Sequence, residues 1–152
     1  MVFLILSVII FNLIAIFIPK RISGIEILTT TLFSSFLELI ANILWDLKYD
    51  LYGYFNKGVD FKGFIFVFGI YPAINIVFLN FFPFKKNMIR KVIYISCWSL
   101  FANIYELLFL WSKTFYYNGW KFWYSIIIYP ILYIILIGFY QYVSYLLRRN
   151  QQ

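Results

Sequence analysis

The stretch VFLILSVIIFNLIAIFI, residues 2–18, is followed directly by Pro19, Lys20 and Arg21. A helix needs about 20 predominantly apolar residues to cross a bilayer, and this uncharged run approaches that length. No basic residue precedes the run and the positive charge follows it, which is the reverse of the order in a secretory signal peptide. The stretch is therefore predicted to be a retained first membrane span.

The composition of the whole chain indicates that its solvent is lipid. Of 152 residues, 64% are hydrophobic and 12% are charged, whereas a water-soluble domain carries about 25% charged residues. The net charge of +7 does not indicate nucleic acid, because the basic residues cluster at the ends of apolar runs, as cytoplasmic membrane anchors do. We expect an integral membrane protein with the bilayer as its first partner and no nucleic-acid partner.

Four further apolar runs follow the first, which predicts an all-α bundle of five transmembrane helices in one domain, residues 1–152. The predicted spans are 2–18, 25–45, 63–82, 91–111 and 122–147. The connections after spans one, three and five hold eight of the 13 Lys and Arg residues, and the other two connections hold five. The positive-inside rule then predicts the N-terminus outside and the C-terminus in the cytoplasm.

Two of the predicted spans carry a polar stripe with one glutamate each. Glu38 and Asn42 share a face of span two, and Asn103 and Glu106 share a face of span four. Both glutamates lie about 10–12 Å below the predicted external ends, at roughly 1.5 Å per residue. This matching depth predicts a shared carboxylate site, and the alternative is that both acids only join helices by hydrogen bonds.

Aromatic residues, 25% of the chain, gather at the predicted external ends of the spans. Trp45, Trp111 and Trp120 are candidate walls of an outward-facing pocket, with Asp46 and Asp50 at its mouth. The alternative reading is an aromatic belt at headgroup level, with solvated aspartates in the connection that also holds Asp60.

A parallel repeat of spans two and three in spans four and five is a further hypothesis. Glu38 precedes Trp45 as Glu106 precedes Trp111, and Ile-Tyr-Pro at 70–72 recurs at 128–130. Prolines at matching positions predict matching helix kinks. Chance matching in a chain rich in Ile, Phe and Tyr is the alternative.

The residue inventory argues against several chemistries. Histidine is absent and Cys97 is the one cysteine, so no metal site is predicted. The sequence has no phosphate-binding glycine loop and no nucleophile elbow, and it implies no cofactor.

Four stretches carry a family resemblance: FNLIAIFIPKR (11–21), DLKYDLYGYF (46–55), IYPAINIVFLNFFPFKK (70–86) and YYNGWKFWYS (116–125). Through them the chain resembles a family of small multi-pass membrane proteins of Bacillus- and Clostridium-type bacteria. That family has no assigned activity, so the resemblance implies a multi-pass architecture and a location in the bacterial cytoplasmic membrane. A sporulating host would further imply a role in the spore or cell envelope.

Three functional hypotheses follow from these patterns. The first is binding or passage of a small cationic or polar ligand at an outward-facing pocket of carboxylates and aromatic rings. The second is a structural or assembly subunit of the cell or spore envelope membrane, acting with a membrane-protein partner or as a homo-oligomer. The third is an intramembrane enzyme that uses paired carboxylates, although we lean away from enzymatic activity.

Overall fold

Five helices and one small sheet make up the computed structural model, which describes residues 1–58 and 61–149. The helices are α1 (Val2–Phe17), α2 (Gly24–Ala41), α3 (Tyr71–Phe81), α4 (Met88–Trp111) and α5 (Phe122–Arg149). Four helical stretches are long and apolar enough to cross a membrane: Gly24–Lys48, Phe61–Phe81, Met88–Trp111 and Phe122–Arg149. The predicted helical membrane bundle is confirmed. Asp60, which was assigned to an external connection, lies outside the described residues.

The first helix is shorter than these four helical stretches. It has 16 residues, about 24 Å at 1.5 Å per residue, against a hydrocarbon core of about 30 Å. It still belongs to the bundle, because Asn12 Nδ2 donates a hydrogen bond of 2.7 Å to the carbonyl oxygen of Gly69. A Cβ atom at Gly69 would lie 3.1 Å from the Val8 side chain, so glycine permits this close approach.

The second span extends further than the sequence predicted. Ser23 begins α2 with a capping box, in which its hydroxyl accepts from the Glu26 amide and the Glu26 carboxylate accepts from the Ser23 amide. After Ala41 the chain continues as a π-helical stretch, Asn42–Lys48, so the helix ends at Lys48 and not at Trp45.

The third span changes helix type along its length. A short 3₁₀ turn, Phe61–Gly63, leads to a π-helical stretch, Phe66–Ile70, and α3 follows. Pro72 follows the π-helical stretch inside the continuous helical segment Phe61–Phe81, and Pro130 lies in the interior of α5. Both prolines therefore stand within helical segments, and kinks at matching positions stay a prediction.

A two-stranded antiparallel sheet joins the two connections that were predicted to share one side of the membrane. Strand β1 (Tyr52–Tyr54) pairs with β2 (Phe115–Tyr117), with Tyr52 opposite Tyr117 and Tyr54 opposite Phe115. Antiparallel strands of equal length pair symmetrically, so the two connections contribute equally to the sheet. The sheet was not predicted from the sequence, because each strand has only three residues.

The outer faces of the bundle are apolar, and two clusters of buried residues fill its interior. Phe66 and Phe109 belong to the cluster beneath the sheet, and Phe78 and Leu79 to the cluster at the opposite end. Large apolar side chains project outward, with Phe17 79% and Leu32 62% exposed. Contiguous apolar surface of this extent fits a lipid solvent.

Candidate functional site

A cavity of about 220 Å³ lies between α2, α3, α4 and α5, beneath the two-stranded sheet. Glu38 and Glu106 both line it. The rest of the wall is largely aromatic, and the indoles of Trp45 and Trp120 meet in it with ring centroids 5.4 Å apart. The structure thus brings the two intramembrane carboxylates of the sequence prediction to one cavity.

Glu106 is held by three hydroxyl groups. Tyr117 and Ser125 donate to its Oε1 atom, the latter at 2.7 Å, and Tyr129 donates to its Oε2 atom. The indole N–H of Trp120 donates to Ser125 Oγ at 2.9 Å. Because an indole N–H only donates, Ser125 uses its own proton toward Glu106, and the carboxyl group acts as an acceptor.

Glu38 has one hydroxyl donor at hydrogen-bond distance, whereas Glu106 has three. Tyr54 donates a hydrogen bond of 3.0 Å to its Oε1 atom, and the side chains of Tyr71 and Asn42 also interact with it. A carboxylate offers about four lone-pair positions, so Glu38 keeps acceptor capacity toward the cavity. Glu106 is 6% exposed and Glu38 is half-buried. The two acids therefore share the cavity but are not equivalent.

The two glutamates have tyrosine partners from corresponding positions of the chain. Each carboxylate interacts with a tyrosine from the following strand, Tyr54 or Tyr117, and with the tyrosine of an Ile-Tyr-Pro motif, Tyr71 or Tyr129. These contacts agree with the predicted repeat of spans two and three in spans four and five. The symmetric strand register connects the two halves at their shared end.

The strand tyrosines remain protonated donors over the physiological pH range. Burial raises the pKa of Tyr54, and of Tyr117, well above the ordinary tyrosine value. The hydrogen bond to Glu106 raises the pKa of Tyr117 further. Burial likewise raises the pKa of Tyr52, and the negative charges of Glu38 and Glu106 contribute to this shift. Tyr52 is thus within electrostatic range of both carboxylates.

No lysine or arginine stands in the cavity wall within residues 1–58 and 61–149. The charged side chains that the described wall holds are the two glutamates. Hydroxyl groups donate to both carboxyl groups, and the described part of the wall holds no basic side chain to pair with them. The cavity is therefore electrostatically suited to a cation.

Asn75 is a wall residue that the predicted site did not include. It is 3% exposed, and its Nδ2 atom lies 3.4 Å from Thr30 Oγ1 and 3.5 Å from Thr31 Oγ1. Its Oδ1 atom has no hydrogen-bond partner among the described residues. The sequence pattern indicates this residue, because Asn75 follows Tyr71 by one helical turn and lies on the same face of span three.

Trp111 lies outside the cavity. It is 80% exposed at the end of α4. At about 100° per residue, five residues turn Trp111 about 140° away from the face of Glu106. Trp111 is therefore absent from the wall, where the sequence predicted it, and Trp120 is the ring that meets Trp45.

The two predicted asparagines hold the structure around the cavity and do not line it. Asn42 Oδ1 accepts a hydrogen bond of 3.0 Å from the Tyr52 hydroxyl, which ties α2 to β1. Asn103 Nδ2 donates to the Ser99 carbonyl oxygen at 2.7 Å within α4. Neither is a wall residue.

The two predicted aspartates also lie outside the cavity wall. Asp46 is buried within the π-helical end of the second span. Asp50 pairs with Lys57, and its Oδ2 atom accepts from Asn118 Nδ2 at 2.8 Å. The hydrogen bond to Asp50 raises the pKa of Lys57. Asp50 therefore joins the two connections, which matches the alternative reading of a solvated loop with lysine nearby.

A third buried glutamate lies at the opposite end of the second helix. Glu26 completes the capping box at Ser23 and accepts a hydrogen bond from the Ser144 hydroxyl of α5. It does not line the cavity. Glu26 is a helix-joining acid, and it offers a matched control for substitutions of the cavity glutamates.

No protein family, curated protein or solved structure matches this chain. The resemblance to small multi-pass proteins of Bacillus- and Clostridium-type bacteria therefore stays a prediction, as do the bacterial cytoplasmic membrane and the orientation within it.

Proposed function

We propose that the protein binds a small organic cation in the cavity between α2, α3, α4 and α5. The observation that carries this proposal is the presence of two carboxylates, and of no basic side chain, in the described part of one aromatic wall. A cation near a ring face is stabilised by about 0.5–2 kcal/mol, and an opposite charge within an apolar enclosure adds more. Passage of the ligand across the membrane is a further step of the same proposal.

The two glutamates have different parts in this proposal. Glu38 makes the ion pair with the ligand, because it keeps open lone pairs beside a single 3.0 Å hydroxyl contact. Glu106 organises the wall, because its three hydroxyl donors fix strand β2 and helix α5 around it. Helix-joining, proposed from the sequence as the alternative for both acids, is thus supported at Glu106.

The test is a calorimetric titration of detergent-purified protein with phenethylammonium, an ammonium group on an aromatic body. We expect saturable binding to the wild type and much weaker binding of 2-phenylethanol, which has a similar shape but no charge. Glu38→Gln preserves size and removes the charge, so it should weaken phenethylammonium binding at least about tenfold, since breaking a desolvated charge pair costs about 2–5 kcal/mol.

Glu26→Gln is the matched control, because it neutralises a buried glutamate on the same helix outside the cavity. Its affinity for phenethylammonium should equal that of the wild type. Equal affinity of the charged and neutral ligands, or an equal loss in Glu26→Gln and Glu38→Gln, would contradict the proposal.

A further inference from the structure

The unpartnered carbonyl oxygen of Asn75 narrows the class of ligand. Thr30 uses its hydroxyl proton on the Glu26 carbonyl oxygen, at 2.6 Å. Toward Asn75 this hydroxyl can therefore only accept, which places the amide nitrogen of Asn75 on the threonine side. The Oδ1 atom is left without a partner among the described residues, in a side chain that lines the cavity.

Asn75 and Glu38 stand at different depths of the cavity. The amide of Asn75 meets Thr31, which lies seven residues, or about 10 Å, from Glu38 along α2. Helical side chains tilt toward the N-terminus of their helix, and α2 and α3 run in opposite directions. The side chains of Glu38 and Asn75 therefore tilt toward each other along the helix axes.

The wall between these acceptors is apolar and aromatic. Tyr71 and Ile74 of α3 line it, with Tyr133 of α5. The donors that stand nearest Glu106 are already bonded to its carboxylate. A ligand that satisfies both ends must itself donate hydrogen bonds at both ends and be apolar between them.

Resting on the proposed cation site, we infer that the ligand is an elongated primary amine with a hydroxyl group at its far end. The ammonium group binds Glu38, an aromatic or aliphatic body lies along Tyr71 and Ile74, and the hydroxyl donates to Asn75 Oδ1. A neutral donor suits the deep end, because that acceptor is an uncharged amide and a second charge there would lack a partner.

The test compares three ligands of equal charge on the wild-type protein: phenethylammonium, its 4-hydroxy derivative and its 4-fluoro derivative. The fluoro group resembles the hydroxyl in size but cannot donate. We expect the 4-hydroxy ligand to bind about tenfold more tightly than the 4-fluoro ligand. In Asn75→Leu this preference should fall below about twofold, while phenethylammonium still binds.

The outcomes separate the inference from the proposal on which it rests. Equal affinities of the 4-hydroxy and 4-fluoro ligands in the wild type would overturn the inference and leave the cation site standing, whether or not Asn75→Leu folds. A tenfold preference that survives in a folded Asn75→Leu protein would also overturn it. Failure of all three ammonium ligands to bind would refute the cation site, and the inference with it.

Discussion

Glu106→Gln should destabilise the protein far more than Glu38→Gln. Glu106 accepts from three hydroxyl groups and Glu38 from one at 3.0 Å. Hydrogen bonds between membrane helices contribute about 0.6–1.7 kcal/mol each. Loss of the three hydroxyl bonds to Glu106 therefore costs about 2–5 kcal/mol, and loss of the Tyr54 hydroxyl bond to Glu38 costs about 0.6–1.7 kcal/mol. A glutamine at position 106 would also point its amide N–H group at a hydroxyl donor, which increases the loss of stability in this variant.

The assay is thermal unfolding in detergent, followed by circular dichroism at matched protein concentration. One kcal/mol corresponds to about 2–8 °C in a chain of this size, so the two variants should be clearly separated in midpoint temperature. Ligand affinity should show the opposite order, with Glu38→Gln the more impaired. The division of roles would be refuted if the Glu106→Gln protein were as stable as the wild type. It would also be refuted if the Glu38→Gln protein were less stable than the Glu106→Gln protein.

Two other predictions concern the sheet and the orientation. In Gly53→Ala the new Cβ would overlap with the Tyr116 hydroxyl group, so we expect the free energy of unfolding to fall by about 1–3 kcal/mol in thermal unfolding. The loss should shrink when Tyr116→Ala is also present, and an unchanged loss would show that the ring is not its cause. In a Cys97→Ala background, Lys121→Cys should react with an impermeant maleimide on intact cells and Lys86→Cys only after lysis. The reverse pattern would overturn the orientation that the basic residues predict.

The helical bundle could be predicted because lipid imposes a simple rule on sequence. A spanning segment must satisfy its backbone internally and expose apolar side chains, so long apolar runs mark the helices. The first run, residues 2–18, shows where this rule becomes less informative. Its helix is only 16 residues long, and its contact with Gly69 depends on tertiary packing that no apolar count contains.

The sheet could not be predicted because neither strand has a signal of its own. Tyr52–Tyr54 and Phe115–Tyr117 are three residues each and are far apart in sequence. They pair because the helices bring them together, and the Leu51 carbonyl oxygen then accepts from the amides of Asn118, Gly119 and Trp120. The sheet is thus a consequence of the helix packing.

The carboxylates of the site were predictable and the identity of their neighbours was only partly so. Isolated acids in apolar helices must find polar partners, which indicated Glu38 and Glu106. Helical phase alone would have excluded Trp111, since a spacing of five residues leaves the face of Glu106. Asn75 required the structure, because its free acceptor depends on how Thr30 uses its hydroxyl proton.

The measurement that tests the central claim most directly is a crystal structure of the protein with 4-bromophenethylammonium, using the anomalous signal of bromine to locate the ligand. The account predicts one strong bromine peak between α2, α3, α4 and α5, with the ammonium nitrogen about 2.7–3.2 Å from a Glu38 carboxylate oxygen. Bromine found only on the lipid-facing surface, or Glu38 and Glu106 turned toward lipid, would contradict it.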